Sequence, residues 1–124
     1  MSYEISQRFF FEAAHTLKRD VDSDGSARIH GHTYHAEVTV TGEPDPQTGM
    51  VFDLGLLRQR IDVARDLLDH HFLDEVAGLG APTLENICAF LARNLSGLGA
   101  PLCTVKVWRE AAGDACLLRL PAVR

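Results

Sequence analysis

Clusters of basic residues, long apolar runs and paired cysteines are what this 124-residue chain lacks. Nowhere do about five or six Lys and Arg gather, as a nucleic-acid groove would require. The balance is acidic instead, 17 Asp plus Glu against 12 Lys plus Arg, a formal net charge of −5. No apolar stretch approaches the ~18 residues of a spanning helix. A Lys/Arg-rich amphipathic helix of the membrane-surface kind is missing too. The three cysteines, Cys88, Cys103 and Cys116, are odd in number and form no CxxC pair. That usage is expected of a reducing compartment rather than of a disulfide framework. The opening MSYEISQRFFFEAAH alternates and is acidic, where a secretory leader is basic and then greasy. These absences predict a cytoplasmic protein that acts on something small, with no nucleic-acid and no membrane partner.

What is present is globular. At 46% hydrophobic and 23% charged, the chain can bury a core without a disulfide or a metal. With no repeat, low-complexity tract or linker, residues 1–124 read as a single domain. Even spacing of Ile5, Phe9 and Phe11 predicts a first strand from about Tyr3 to Phe11. Glu12 to Gly31 has no clear period, and so long a loop is usually functional. HTYHAEVTVT then alternates cleanly over His32–Thr41 and predicts a second strand. Asp53 caps a helix with the stripe Leu54, Leu57, Ile61, Ala64 and Leu68. Thr83 caps another, with Leu84, Ile87, Cys88, Leu91 and Leu95 on one side. Thr104–Arg109 and Cys116–Leu120 read as strands joined by EAAGD. The order β-β-α-α-β-β predicts an α+β fold, a four-stranded antiparallel sheet with two helices on one face. Its two bare edges favour oligomerisation.

The six histidines are many for so short a chain. His30 and His32 flank Gly31 and point to one side of a strand. Gly31 is expected to let the backbone come close. His15 is a reasonable third ligand if the first two strands pair, and a catalytic zinc wants three protein ligands and one open position. The competing reading is a surface or core histidine pair, and spacing alone leaves both open. His35 falls on the opposite face and reads as a solvated strand residue. In Asp69-His70-His71 a carboxylate beside an imidazole suits proton transfer. Taken alone, histidines meeting a helix C-terminus are the simpler explanation. Glu110 is a strand-end carboxylate or simply a turn residue, and Thr83 and Glu85 begin a helix.

Together FFEAAH, HGHTY, GMVFDL, LDHHFLD, PTLEN, VWRE and GDAC resemble, in order and spacing, the 6-pyruvoyl-tetrahydropterin synthase family, nearest to its bacterial 6-carboxytetrahydropterin synthase branch. The resemblance runs from about Tyr3 to Leu120. It implies the tunnelling fold, with subunits joining their sheets into barrels, a homohexamer of two stacked trimers and active sites between subunits. It implies that His15, His30 and His32 hold Zn²⁺, that Asp69 and His70 shuttle protons, and that Glu110 holds the pterin ring. Thr83 and Glu85 would lie near the pterin, and Lys18, Arg19 and Arg28 are candidates to meet a triphosphate. The implied reaction is a zinc-dependent lyase reaction of queuosine biosynthesis. It converts 7,8-dihydroneopterin triphosphate to 6-carboxy-5,6,7,8-tetrahydropterin, with loss of triphosphate and acetaldehyde.

One position departs from the pattern. Four residues before the first His of HGH, where the family has a catalytic cysteine, this chain has Ser26, in SARIHGH. A thiol near a metal is readily driven to thiolate, whereas a serine hydroxyl needs something else to take its proton first. The alternatives are therefore triphosphate elimination or side-chain cleavage by a Cys-less paralogue, or a non-catalytic zinc- and pterin-binding relative.

Overall fold

The computed structural model describes residues 1–122. Four strands form one antiparallel sheet in the order β1-β2-β3-β4: β1 Tyr3–His15, β2 His30–Gly42, β3 Leu102–Arg109 and β4 Asp114–Arg119. A short helix α1 (Ser23–Ala27) lies between β1 and β2. Helices α2 (Leu54–Asp66) and α3 (Leu84–Asn94) lie between β2 and β3, separated by a 3₁₀ turn at Leu73–Glu75. The α+β expectation holds, as do the two caps. The Asp53 carboxylate accepts from Gly55 N at 2.8 Å and the Thr83 hydroxyl from Asn86 N at 3.1 Å. Each satisfies a helix-end N–H that would otherwise have no partner.

Alternation decides which face is covered. Phe11, Ala13 and His15 of β1 and Tyr34, Ala36, Val38 and Val40 of β2 are buried. They meet Leu57, Ile61 and Ala64 of α2, Ile87, Cys88 and Leu91 of α3, and Val105 and Val107 of β3 in one apolar cluster. Burying a large aliphatic side chain is worth about 1.5–3 kcal/mol, so this cluster supplies the drive to fold without help from a metal.

Several strand boundaries differ from the sequence expectation. β1 continues four residues beyond Phe11, to His15, and β2 begins at His30 rather than His32. Pairing is the reason: each residue from Glu12 to His15 opposes one from Thr33 back to His30. Ladder hydrogen bonds therefore extend both strands past the point where hydrophobic alternation fades. β4 starts at Asp114 rather than Cys116 because the turn closes two pairs earlier, with Trp108 opposite Ala115 and Arg109 opposite Asp114. Gly31 is not needed for room, since a Cβ there would meet only Ala13 O, at 3.7 Å.

Sheet order leaves β1 and β4 at the edges. The end of the β1 edge is covered. His70 N donates to Glu12 O at 2.6 Å and Ala14 N donates to His71 O at 3.1 Å. Asp74 then accepts from Thr16 N at 2.9 Å and from the Thr16 hydroxyl. Thus the segment after α2 is stitched to the strand that ends in His15.

Candidate metal centre

His15 and His30 are directly paired across β1 and β2, and His32 lies two residues further along β2 on the same face. The register brings all three imidazoles to the covered side of the sheet, at its open end. Their ring centroids are 4.5, 4.9 and 4.9 Å apart, and the ring planes stand 70–89° to one another. His15 is 2% exposed, and the other two are half-buried. One nitrogen from each converges, all within 4.8 Å of one another.

The hydrogen bonds argue for a cation. His15 Nδ1 lies 3.0 Å from the Pro82 carbonyl, and His30 Nδ1 lies 2.7 Å from the Arg28 carbonyl. A carbonyl only accepts, so both Nδ1 atoms carry the hydrogen and both Nε2 atoms carry lone pairs. Yet His15 Nε2 lies 2.9 Å from His30 Nε2 and 3.1 Å from His32 Nε2. Lone pairs facing each other at such distances need a proton or a metal between them. A proton is disfavoured: burial first, then neighbouring positive charge, holds His32 down at about 4 and His15 below the ordinary range. A tetrahedral ion with nitrogens at 2.0–2.1 Å would place them about 3.3–3.4 Å apart, close to the spacing present. Backbone carbonyls that fix a ligand's tautomer and ring orientation are the usual outer support of such a site. The donor set fits a zinc-like ion.

A cavity of about 280 Å³ opens on the triad, and its lining includes Ser26, Arg19, Asp22, Arg109 and Asp114. Ser26 is therefore brought to the metal site, as its sequence position implied. It is buried, and its hydroxyl lies 2.8 Å from the Asp22 carbonyl, which accepts from it. No cysteine takes its place. Cys88 is buried in the core, and burial, then Cys116, pushes its thiol up to about 12. Cys103 meets Glu4, far from the triad in the fold.

Asp69 and His70 lie elsewhere. His70 Nδ1 is 2.9 Å from Asp69 Oδ2, and Asp69 Oδ1 accepts from Glu12 N at 2.9 Å. That backbone N–H, then His70 and Arg65, holds the Asp69 carboxyl below its usual range against the cost of burial. His70 borders a second depression, lined also by Glu12, Thr33, His71, Phe72 and His32. His32 is the wall common to both. The Nδ1 of His71, in the same depression, donates to Asp69 O. Glu110 is exposed on the β3–β4 turn, where it accepts from Trp108 Nε1 at 2.9 Å. It does not line the triad cavity. Glu85 is exposed in the first turn of α3, and Thr83 is occupied as its cap. The Pro82 carbonyl just before it holds His15, so PTLEN is tied to the metal site through backbone. Of the three basic loop residues, Arg19 lines the cavity, Arg28 contributes its carbonyl, and Lys18 is exposed. His35 stacks on Trp108, centroids 5.6 Å apart, on the uncovered face.

Sequence reasoning missed Arg109, whose Nη1 lies 3.4 Å from His32 Nε2. The signal was there in the period of β3, because Val105, Val107 and Arg109 fall on one face.

Architecture and site together define a class: a small α+β domain carrying three convergent histidines on a hairpin, in the tunnelling fold. The sequence model of the 6-pyruvoyl tetrahydropterin synthase family matches residues 4–119, and the chain belongs to that family. It is 35% identical over 103 residues to the 6-carboxy-5,6,7,8-tetrahydropterin synthase of Synechocystis, covering 78% of each chain. A dihydroneopterin monophosphate aldolase of Pyrococcus furiosus is 33% identical over 95 residues, covering 77% of this chain and 76% of that one. Among solved structures, the Caenorhabditis elegans 6-pyruvoyl tetrahydropterin synthase superposes with a TM-score of 0.81 at 25% identity. It covers 98% of this chain and 97% of its own.

Proposed function

We propose that this chain is a zinc-dependent lyase that converts 7,8-dihydroneopterin triphosphate and one water to 6-carboxy-5,6,7,8-tetrahydropterin, releasing triphosphate and acetaldehyde, within 7-deazaguanine biosynthesis. The observation that carries the reading is the convergence of the Nε2 atoms of His15, His30 and His32, the first two turned inward by backbone carbonyls that accept from Nδ1. Similarity to the Synechocystis 6-carboxy-5,6,7,8-tetrahydropterin synthase supports pterin chemistry of this kind. The ion, when bound, acts as a Lewis acid that makes a C–H beside a held oxygen more acidic.

The chain's own groups do the rest. His70, oriented by Asp69, takes and returns protons at Nε2, and the carboxylate stabilises its cationic form. Ser26 hydrogen-bonds in the cavity and cannot serve as base until another group has its proton. Glu110 accepts two parallel N–H bonds from the aminopyrimidinone edge of the pterin, with Thr83 and Glu85 nearby. In this reading the working site is completed between subunits of a homo-oligomer, two stacked trimers, which the open β1 and β4 edges of the sheet would allow. One globular domain spans the chain and works in the cytoplasm.

A second reading rests on Ser26 itself. Without a thiolate, cleavage of the side-chain carbon–carbon bond, as the name of the Pyrococcus relative describes for a monophosphate, needs one base fewer than full elimination. Mass analysis of the products from zinc-loaded protein and 7,8-dihydroneopterin triphosphate separates the two. The 6-carboxy pterin with free triphosphate supports the first. A shortened pterin with phosphate retained on the departing fragment supports the second. An untouched substrate contradicts both.

A further inference from the structure

The triad cavity contains one buried charge that the proposed chemistry does not use. Val105 and Val107 are buried on the covered face of β3, and Arg109, next on that face, ends beside the histidines. Its side chain is only 14% exposed. A guanidinium offers five N–H donors and accepts nothing. Nη2 is paired with the Asp114 carboxylate. Nη1 faces His32 Nε2 at 3.4 Å, and the guanidinium also acts on the Tyr34 hydroxyl. Nε is buried and has no acceptor among the described residues. A buried donor without a partner is costly and uncommon in native structures, which marks the position as one where a partner arrives.

Metal loading sharpens this. Once the His32 Nε2 lone pair is committed to an ion, it no longer accepts from Nη1, and a second donor is released. A divalent cation beside Arg109 also outweighs the single negative charge of Asp114, which is itself 47% exposed. Like charges held together in a partly dry pocket attract a negative ligand. The cavity, at about 280 Å³, has room for a small ligand arm beside the histidines.

We propose that Arg109 is an oxyanion-binding, specificity-determining residue: with the three-histidine metal it forms a two-cation cradle for a ligand arm bearing a carboxylate or phosphoryl oxygen. The inference rests on the metal-centre reading above and deepens it. It says that a negative oxygen on the arm of the substrate, and not hydroxyls alone, is gripped beside the metal.

The test uses the full chain loaded with Co(II), whose visible spectrum reports the open coordination position, titrated separately with acetate and with methylphosphonate. A saturable change with at least one of them is expected, and the tighter of the two names the oxyanion class. Arg109→Met should weaken that binding about tenfold or more, the scale of a charge-assisted hydrogen bond. The same variant should hold Co(II) more tightly, because a like charge has gone, and Arg109→Lys should recover part of the anion affinity. Opposite movements of anion and metal affinity separate this role from a structural one, which would lower both. Asp114→Asn, which removes the competing carboxylate, should tighten anion binding and gives an independent readout should Arg109→Met fail to fold. No saturable change with either anion, unchanged affinity in Arg109→Met, or weaker binding in Asp114→Asn overturns the proposal. The probes are simple anions, so the outcome is separate from whether pterin turnover is found.

Discussion

Two histidine clusters meet at the end of β1, and they are held in opposite ways. The triad is woven into the ladder: His15 and His30 are cross-strand partners, buried or half-buried, with ring orientations set by backbone carbonyls. The Asp69–His70 pair is hung on the edge strand by the segment after α2. Its imidazole is 77% exposed, and His70 sits at φ 58°, a left-handed conformation uncommon outside glycine and enriched at functional sites. The contrast suits two tasks. A metal ligand must stay still, because a displaced lone pair loses the ion. A proton carrier must reach solvent and substrate, and needs only its carboxylate to keep its tautomer. Rigidity and exposure are divided between adjacent segments of one small domain.

The sharpest way to break the comparison is at the buried end. His15→Ala should lower metal affinity by more than about 100-fold, the upper range for removing mere orienting partners, and abolish turnover. The helical circular dichroism should remain, because the apolar cluster does not depend on the ion. Loss of metal together with unfolding would contradict that division. At the exposed end, Asp69→Asn should leave zinc affinity unchanged while turnover falls about 10²–10⁴-fold, the usual worth of a positioned acid–base group. An equal loss of zinc would merge the two clusters into one.

Much of this was legible beforehand, for reasons that differ by element. α2 and α3 announced themselves through apolar stripes opened by Asp53 and Thr83, and both caps are made. β2 was legible because one face is buried and the other is not. The last four residues of β1 were not, since Glu12-Ala13-Ala14-His15 carries little alternation and is extended by its partner strand. His15 was proposed as the third ligand from the pairing it required, and the register places it opposite His30. The Asp69 contact with Glu12 N was illegible, because it depends on how the post-α2 segment docks on an edge. Arg109 was overlooked because a cation beside a metal runs against expectation, although its strand parity pointed inward.

A smaller effect sharpens the same contrast without mutation. In the metal-free chain His32 is held at about 4 against an ordinary 6.5, by burial first and Arg109 next. Between those values the unfolded chain takes up a proton that the folded chain refuses, so stability rises with pH. The contribution is fully present above about pH 6.5 and is lost as pH falls towards about 4. The melting temperature of metal-free protein should therefore fall across that window, and His32→Gln should make the slope shallower, leaving the part that His15 contributes. A slope as steep as that of the parent chain would place the main titrating group elsewhere.

X-ray absorption at the zinc edge, on the full chain loaded with one equivalent of zinc, asks the central question directly. Three imidazole nitrogens at about 2.0–2.1 Å, one oxygen ligand and no sulfur are expected. A sulfur shell near 2.3 Å, or fewer than three imidazoles, would contradict the account.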